Sequence, residues 1–233
     1  MKRILKICVV LVLLASFHTQ ATTIGPSRIL TCPYCHAEKS VINLTSGNTI
    51  GATYWSDNKR IAPMLPRVSP VQKCPGCGKY YFYGRQEETR YDTKEESMNT
   101  GELSFAEAKE AYVQFTAEGD MSPDEEISVR VLLFQAFNDY YYRGLEDLDT
   151  DVDVAVDEDD YALFVETGQW LIDNLITDDL LKAEFYREIG KMAEAQEILD
   201  VLQVVGVKED LKDIYEGIAS RVKQGDSRVF KLF

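Results

Sequence analysis

Two Cys-Pro-x-Cys knuckles, Cys32-Pro33-Tyr34-Cys35 and Cys74-Pro75-Gly76-Cys77, constrain this chain more than any other feature. Cysteines at this spacing sit at the two ends of a tight turn, and two such turns supply the four thiolates of one tetrahedral zinc ion. The knuckles therefore predict a structural zinc site on Cys32, Cys35, Cys74 and Cys77 at the tips of a small β-ribbon. A structural site of this kind has no open coordination position and carries no reaction. Proline after the first cysteine of each pair, and Gly78 after the last, suit a turn whose backbone amides point at sulfur.

The first residues complicate that expectation. Met1-Lys2-Arg3 and Lys6 precede an apolar run from Ile7 to Phe17, and small residues follow at Thr19-Gln20-Ala21-Thr22. This order reads as a secretory signal over residues 1–21, which implies a periplasmic or secreted protein. The apolar run is about half of the roughly 20 residues that span a bilayer, so no stable membrane span is expected after cleavage. Oxidising compartments favour disulfides. The alternative is therefore an extracytoplasmic thiol-disulfide redox protein that uses the same cysteines as exchanging dithiols. A thioredoxin-like site needs a helix starting beneath the motif to lower the thiol pKa. Residues 37–43, Ala-Glu-Lys-Ser-Val-Ile-Asn, are too short and too soon broken to form one.

The formal charge is −14, and removal of Lys2, Arg3 and Lys6 with the signal would make it more negative by three. Phosphate-rich partners are repelled by such a chain, which argues against nucleic acid.

Two periodicities divide the rest. Residues 29–84 show no helical period and are expected to form a zinc-ribbon-like β domain. Short strands are expected at residues 41–44 and 49–55, around the Ser46-Gly47-Asn48 turn, and an aromatic strand at Lys79-Tyr80-Tyr81-Phe82-Tyr83. The polar stretch 85–101 reads as a linker. From residue 102 to 233 the period becomes helical. Ser104 with Glu107 makes a capping box, and Ser122-Pro123-Asp124-Glu125 joins an N-cap to a first-turn proline and acidic residues. A last amphipathic helix carries Val207, Leu211, Ile214, Tyr215, Ile218, Ala219 and Val222 on one face. Residues 181–202 read as a helix-turn-helix unit with Gly190 at the bend, in the manner of a tetratricopeptide repeat. An earlier pair, 105–119 and 126–143, is a degenerate second candidate. The fold class expected is α+β: a small β ribbon followed by an all-α, TPR-like domain.

Other candidates for chemistry carry less. Asp149, Asp151, Asp153 and Asp157 approach the spacing of a calcium loop. However, Val154 stands where the sharp turn needs glycine, and Asp160 replaces the bidentate glutamate. The acidic stretch 146–160 reads as a solvated loop. Phe134, Phe137, Tyr140, Tyr141 and Tyr142, with Trp170, read as helical core, with Tyr141 or Tyr142 reaching solvent because three consecutive tyrosines cannot share one face. Beyond the signal, His36 is the sole histidine, which leaves little room for Ser-His-Asp or Cys-His catalysis. Its adjacency to Cys35 makes it an alternate metal ligand or a surface residue. No residue set stands out as catalytic or as binding an organic cofactor, which favours an interaction protein over an enzyme.

Together the knuckles, the Ile50-Gly51-Ala52-Thr53-Tyr54-Trp55-Ser56-Asp57 segment and the Ala183-Glu184-Phe185-Tyr186-Arg187-Glu188-Ile189-Gly190 unit resemble a bacterial family of uncharacterised proteins. In that family a zinc ribbon precedes TPR-like helices. The resemblance implies architecture rather than activity, with its four-cysteine zinc set carried over to Cys32, Cys35, Cys74 and Cys77; the combination of a closed metal site with a helix-pair repeat leads to the expectation of a protein that binds another protein.

Overall fold

The computed structural model describes residues 22–85, 90–92, 97–143 and 155–232. The expected signal and most of the acidic stretch 146–160 lie outside them. Among the described residues a β head precedes six helices, which is the α+β architecture implied by the change of period.

The head is built from β1 (Thr23–Ile24), β2 (Ser27–Thr31), β3 (Glu38–Val41), β4 (Leu44–Ser46), β5 (Thr53–Tyr54), β6 (Arg60–Ile61), β7 (Val71–Lys73), β8 (Tyr80–Phe82) and β9 (Arg90–Asp92). All pairings are antiparallel: β1 with β4, β3 and β9 on either side of β2, β5 with β6, and β7 with β8. Register explains the knuckles. The β2–β3 ladder closes at Thr31 opposite Glu38, and the β7–β8 ladder at Lys73 opposite Tyr80, so each cysteine pair occupies the loop of a hairpin.

Two expectations for the head need adjusting. The strand expected over 49–55 begins only at Thr53, because the Asn48 side chain accepts the Ile50 amide at 2.8 Å and Gly51 turns left-handed. The strand expected at 41–44 is instead two, β3 ending at Val41 and β4 starting at Leu44. The polar segment 85–101 is itself tied to the head. It carries β9, the Asn99 carbonyl accepts from the Ile42 amide at 2.8 Å, and the Thr100 carbonyl accepts from the Ser69 amide at 2.8 Å.

The helices are α1 (Phe105–Glu118), α2 (Pro123–Tyr141), α3 (Glu158–Asn174), α4 (Asp179–Glu188), α5 (Met192–Val205) and α6 (Lys212–Gln224). Both expected capping boxes form, at Ser104 with Glu107 and at Ser122 with Glu125. Each helix packs on the next, and α4 also packs on α6. Gly190 turns the chain between α4 and α5 at φ 78°, in the left-handed region where glycine alone is unstrained. The final helix begins at Lys212, after a short 3₁₀ turn over Glu209–Leu211, rather than at Val207.

Two apolar clusters matter for placing the head. Phe134 on α2 stacks between Phe164 of α3 and Phe185 of α4, at centroid distances of 4.3 and 4.6 Å. A second cluster joins head to helices: Val71, Tyr80 and Phe82 pack with Leu103, Ala111, Phe115 and Val129, and Phe82 stacks on Phe115 at 4.2 Å. Aromatic stacks of this kind add about 0.5–1.5 kcal/mol each beyond area burial.

A buried charged network forms the other attachment. Asp57, just after β5, receives a bidentate pair from Arg143 at 2.9 and 2.7 Å, and Asn138 donates to Asp57 at 3.2 Å. Asn138 also donates to Glu188 of α4 at 2.9 Å, and the Ser56 hydroxyl lies 3.1 Å from the same carboxyl. Arg187 pairs with Glu184 and donates to the Arg228 carbonyl at 3.1 Å. The C-terminal residues complete the enclosure: the Ser56 amide donates to the Phe230 carbonyl at 2.9 Å and the Leu232 amide to the Tyr54 carbonyl at 2.8 Å. Burial, reinforced by the charges of Glu184 and Asp57, raises the Glu188 carboxyl well above the ordinary carboxylate range, against the pull of Arg187.

The sign of that shift fixes a pH dependence. A carboxyl with a folded pKa above its unfolded value keeps a proton in the native state that the unfolded chain loses. Its contribution therefore favours folding most at or below the unfolded pKa and declines as pH rises toward the folded value. Glu188→Gln removes this titration. In urea denaturation between pH 5 and 8, the natural chain is expected to lose stability with rising pH relative to the variant, by at most about 1.4 kcal/mol per pH unit. Parallel curves for the two proteins would show that Glu188 is ionised in the fold.

Candidate metal centre

Each knuckle is held by the same pair of backbone bonds. The Cys32 amide donates to the Ala37 carbonyl at 2.9 Å and the His36 amide to the Cys32 carbonyl at 3.0 Å. In the second knuckle the Cys74 amide donates to the Lys79 carbonyl at 2.8 Å and the Gly78 amide to the Cys74 carbonyl at 3.0 Å. His36 and Gly78 are thus equivalent positions, and both turn left-handed, at φ 60° and 75°. Glycine adopts this conformation without strain, whereas histidine does so at a cost. Gly76 serves a different need. A Cβ there would lie 2.8 Å from the Ala37 Cβ and 3.3 Å from the Cys35 sulfur, so a side chain would push the two knuckles apart.

All four sulfur atoms lie within 4.8 Å of one another, with Cys32 Sγ 3.8 Å from Cys77 Sγ and Cys35 Sγ 3.4 Å from Cys74 Sγ. The cluster can hold a metal ion. Cys32 and Cys74 are buried against Leu30, Val41 and Tyr81, while Cys35 and Cys77 are exposed.

The sulfurs are electrostatically unequal. Burial disfavours a Cys74 thiolate, but the Cys77 and Gly76 amides aim at this sulfur from 3.4 and 3.3 Å, and with the Cys32 and Cys35 thiols they lower its pKa to about 6. The Ala37 amide pulls Cys35 down, yet its hydrogen bond to Cys74 and its partial desolvation outweigh that and push it up to about 12. Burial raises Cys32 against the amides of Tyr34 and Cys35.

Helix α1 forms the platform under the knuckles. The Gln114 amide group donates to the Tyr80 carbonyl at 2.9 Å, and its oxygen accepts the Tyr80 amide at 3.0 Å, so one side chain closes the outer edge of β8. Tyr34, inside the first knuckle, donates its hydroxyl to Glu118 at 3.0 Å, and Lys79 from beyond the second knuckle lies over the Tyr34 ring. Lys73 pairs with Glu107 at 3.1 Å.

The other candidates resolve into structural roles. His36 is exposed and stands outside the sulfur cluster. Phe134, Phe137 and Tyr141 are core, and Tyr142 is half-buried. The tyrosine at the surface is Tyr140, 62% exposed, rather than Tyr141, whose hydroxyl donates to Asp160 at 2.6 Å. Two carboxylates of the acidic stretch are likewise employed: Asp157 caps α3 by accepting the Asp159 and Asp160 amides, and Asp160 pairs with Lys109. The remaining calcium-loop positions, Asp149, Asp151 and Asp153, lie outside the described residues.

Sequence reasoning overlooked the Asp57–Arg143–Asn138–Glu188 network. Its signal was present: Asn138 interrupts an aromatic helix face, with Phe134 and Tyr141 on either side at helical spacing. The network joins the 50–57 segment to the 183–190 unit. No protein-family model matches the chain, and no curated protein and no solved structure matches it.

His36→Gly tests whether the histidine takes part in metal binding. Left-handed geometry costs a non-glycine residue about 1–2 kcal/mol, partly offset by about 0.4–1 kcal/mol from the greater freedom of glycine in the unfolded chain. Unchanged metal content and stability equal to or up to ~1.6 kcal/mol above the parent are expected, by metal analysis and urea denaturation. Reduced metal content would make His36 a ligand.

Proposed function

We propose that this is an exported, non-enzymatic interaction protein, in which one structural zinc ion on Cys32, Cys35, Cys74 and Cys77 holds the head and a TPR-like helical domain holds another protein. The convergence of four sulfurs is the observation that carries the reading. Thiolates bind zinc at about 2.3 Å, which sets tetrahedral sulfur–sulfur edges of roughly 3.8 Å. The separations of 3.8 and 3.4 Å fit such a set with little adjustment. A four-sulfur zinc site leaves no position for substrate, so the metal serves architecture. The helix pair α4–α5 with its glycine bend supports the TPR-like assignment, and the basic-then-apolar start of the chain supports export.

A second reading rests on a specific feature. Cys74 is shifted toward thiolate and lies beside the exposed Cys35 and Cys77, which supports an extracytoplasmic thiol-disulfide exchanger, while the burial of Cys74 and the raised Cys35 oppose it. Metal analysis and thiol titration of protein purified from its native compartment separate the two. Zinc binding gives one ion per chain and four titratable thiols only after chelation, whereas the exchanger carries no metal and reduces insulin.

Chelation has a further consequence under the zinc reading. Structural zinc contributes on the order of 10 kcal/mol to small metal-held folds. Since the knuckles rest on Gln114 and Glu118 of α1, zinc removal or Cys35→Ser is expected to lower the unfolding temperature and expose the α1–head interface to proteolysis. Retention of both the melting temperature and the protease pattern after complete chelation would refute a structural metal. Partner capture is tested by crosslinking in envelope extracts. A specific protein recovered with the intact chain supports the interaction role, and turnover of a small substrate without any such protein refutes it.

A further inference from the structure

A groove of about 570 Å³ lies between residues 58–70 of the head, the Thr100–Leu103 segment and the side of α2. Its volume falls in the range of roughly 300–1,000 Å³ typical of small-molecule sites. The walls are largely apolar, from Ala62, Leu65, Leu103, Ile127, Val131 and Leu132. Polar groups are few, and they are unevenly satisfied.

Residues 58–70 contain Lys59, Arg60 and Arg67 and no acidic residue, within a chain of formal charge −14. Lys59 is neutralised by Asp139 on α2, with Glu102 at 3.6 Å. Arg60 and Arg67, which also line the groove, form no ion pair or hydrogen bond with any described residue, and the Arg60 Nε is buried without a partner. Ser69, 8% exposed on the same wall, has a buried hydroxyl that is likewise unpartnered. Buried donors without partners are uncommon in folded proteins, and an arginine fork is shaped for a planar, two-oxygen acceptor.

From this juxtaposition we infer that the groove is a binding site for a small monocarboxylate with an apolar body, its carboxylate on Arg60 and Arg67 and its hydrocarbon along Leu65, Val131 and Leu132. A single negative charge suits the site better than a phosphate dianion. Glu102 and Asp139 stand on the facing wall, and the field of the whole chain opposes multiply charged anions. The inference is independent of the identity of the metal and of any protein partner.

The test is calorimetric titration of the full metal-loaded chain with decanoate, decanol and acetate, together with amide chemical-shift mapping. Decanoate is expected to bind at one site and to shift residues 58–70 and the facing side of α2. Decanol should bind at least tenfold more weakly, and acetate should not saturate. Exposed Arg67→Gln, and the double variant with Arg60→Gln, should each weaken decanoate without changing decanol, the double by tenfold or more, the scale of a lost charge-assisted hydrogen bond. Circular dichroism and the melting temperature report whether each variant is folded, and Arg67→Gln alone suffices if the double is not. Equal affinity for decanoate and decanol, no binding of either, undiminished decanoate affinity in folded Arg67→Gln, or shifts confined to another surface would each overturn the proposal.

Discussion

The head has very little hydrophobic interior to itself, and this constraint governs how the molecule is assembled. Its private cluster consists of Leu30, Cys32, Val41, Cys74 and Tyr81, two of which belong to the four-cysteine cluster. Strands of two to five residues add few ladder bonds. Val71, Tyr80 and Phe82 instead complete their burial against Leu103, Phe115 and Val129 of the helical half. Burying a large apolar side chain is worth about 1.5–3 kcal/mol, so a ribbon separated from α1 and α2 would forfeit most of what holds it. The sulfur cluster and the helix platform are therefore two ends of one structure: the knuckles fix the hairpin tips, and α1 fixes the hairpin edge through Gln114.

The charged network at Asp57 answers a different need. Apolar contact is nearly indifferent to rotation, whereas a bidentate Arg143–Asp57 pair with Asn138 beside it accepts only one orientation of head on helices. Desolvation of these ions offsets much of their attraction, so the network adds little net stability while making misdocking costly; removal of one partner from such a pair typically costs about 3–5 kcal/mol. Glu188 shows the limit of the arrangement. With Arg143 engaged by Asp57 and Arg187 by Glu184, no cation remains wholly for it, and the fold accommodates it by favouring its protonated form.

Features that depend on neighbouring residues were legible in the sequence. The knuckles, both capping boxes and the Gly190 bend each rest on groups a few residues apart, and each appears as expected. Contacts between distant segments were not. The polar run 85–101 looks like a linker because its side chains are hydrophilic, but the β9–β2 ladder, the Asn99 and Thr100 carbonyls and the pairing of Arg85 with Asp120 and Glu125 tie it down, which composition does not reveal. Similarly, sequence dictates that one of three adjacent tyrosines must leave the core. Which one is set by the rotation of α2 against Phe105 and Asp160, and it is Tyr140. Nothing local to Asp57 or to Glu188 predicts that Asn138 will bridge them.

Helix α2 is where these demands meet. One face carries Phe134 and Phe137 into the aromatic core, Asn138 enters the charged network with Arg143 just beyond the helix end, and Ile127, Val131 and Leu132 form a wall of the open groove. Asp139 links the last two, since it accepts from Arg143 at 2.6 Å on one side and pairs with Lys59 at the groove on the other. The same short chain of charges thus runs from a solvent-facing cleft to the buried joint between head and helices. Because Lys59 is already committed to Asp139, the cationic groups available to an anion in the cleft are Arg60 and Arg67, which take no part in that joint. The fold thereby keeps the ions that orient its two halves separate from those free to meet a ligand.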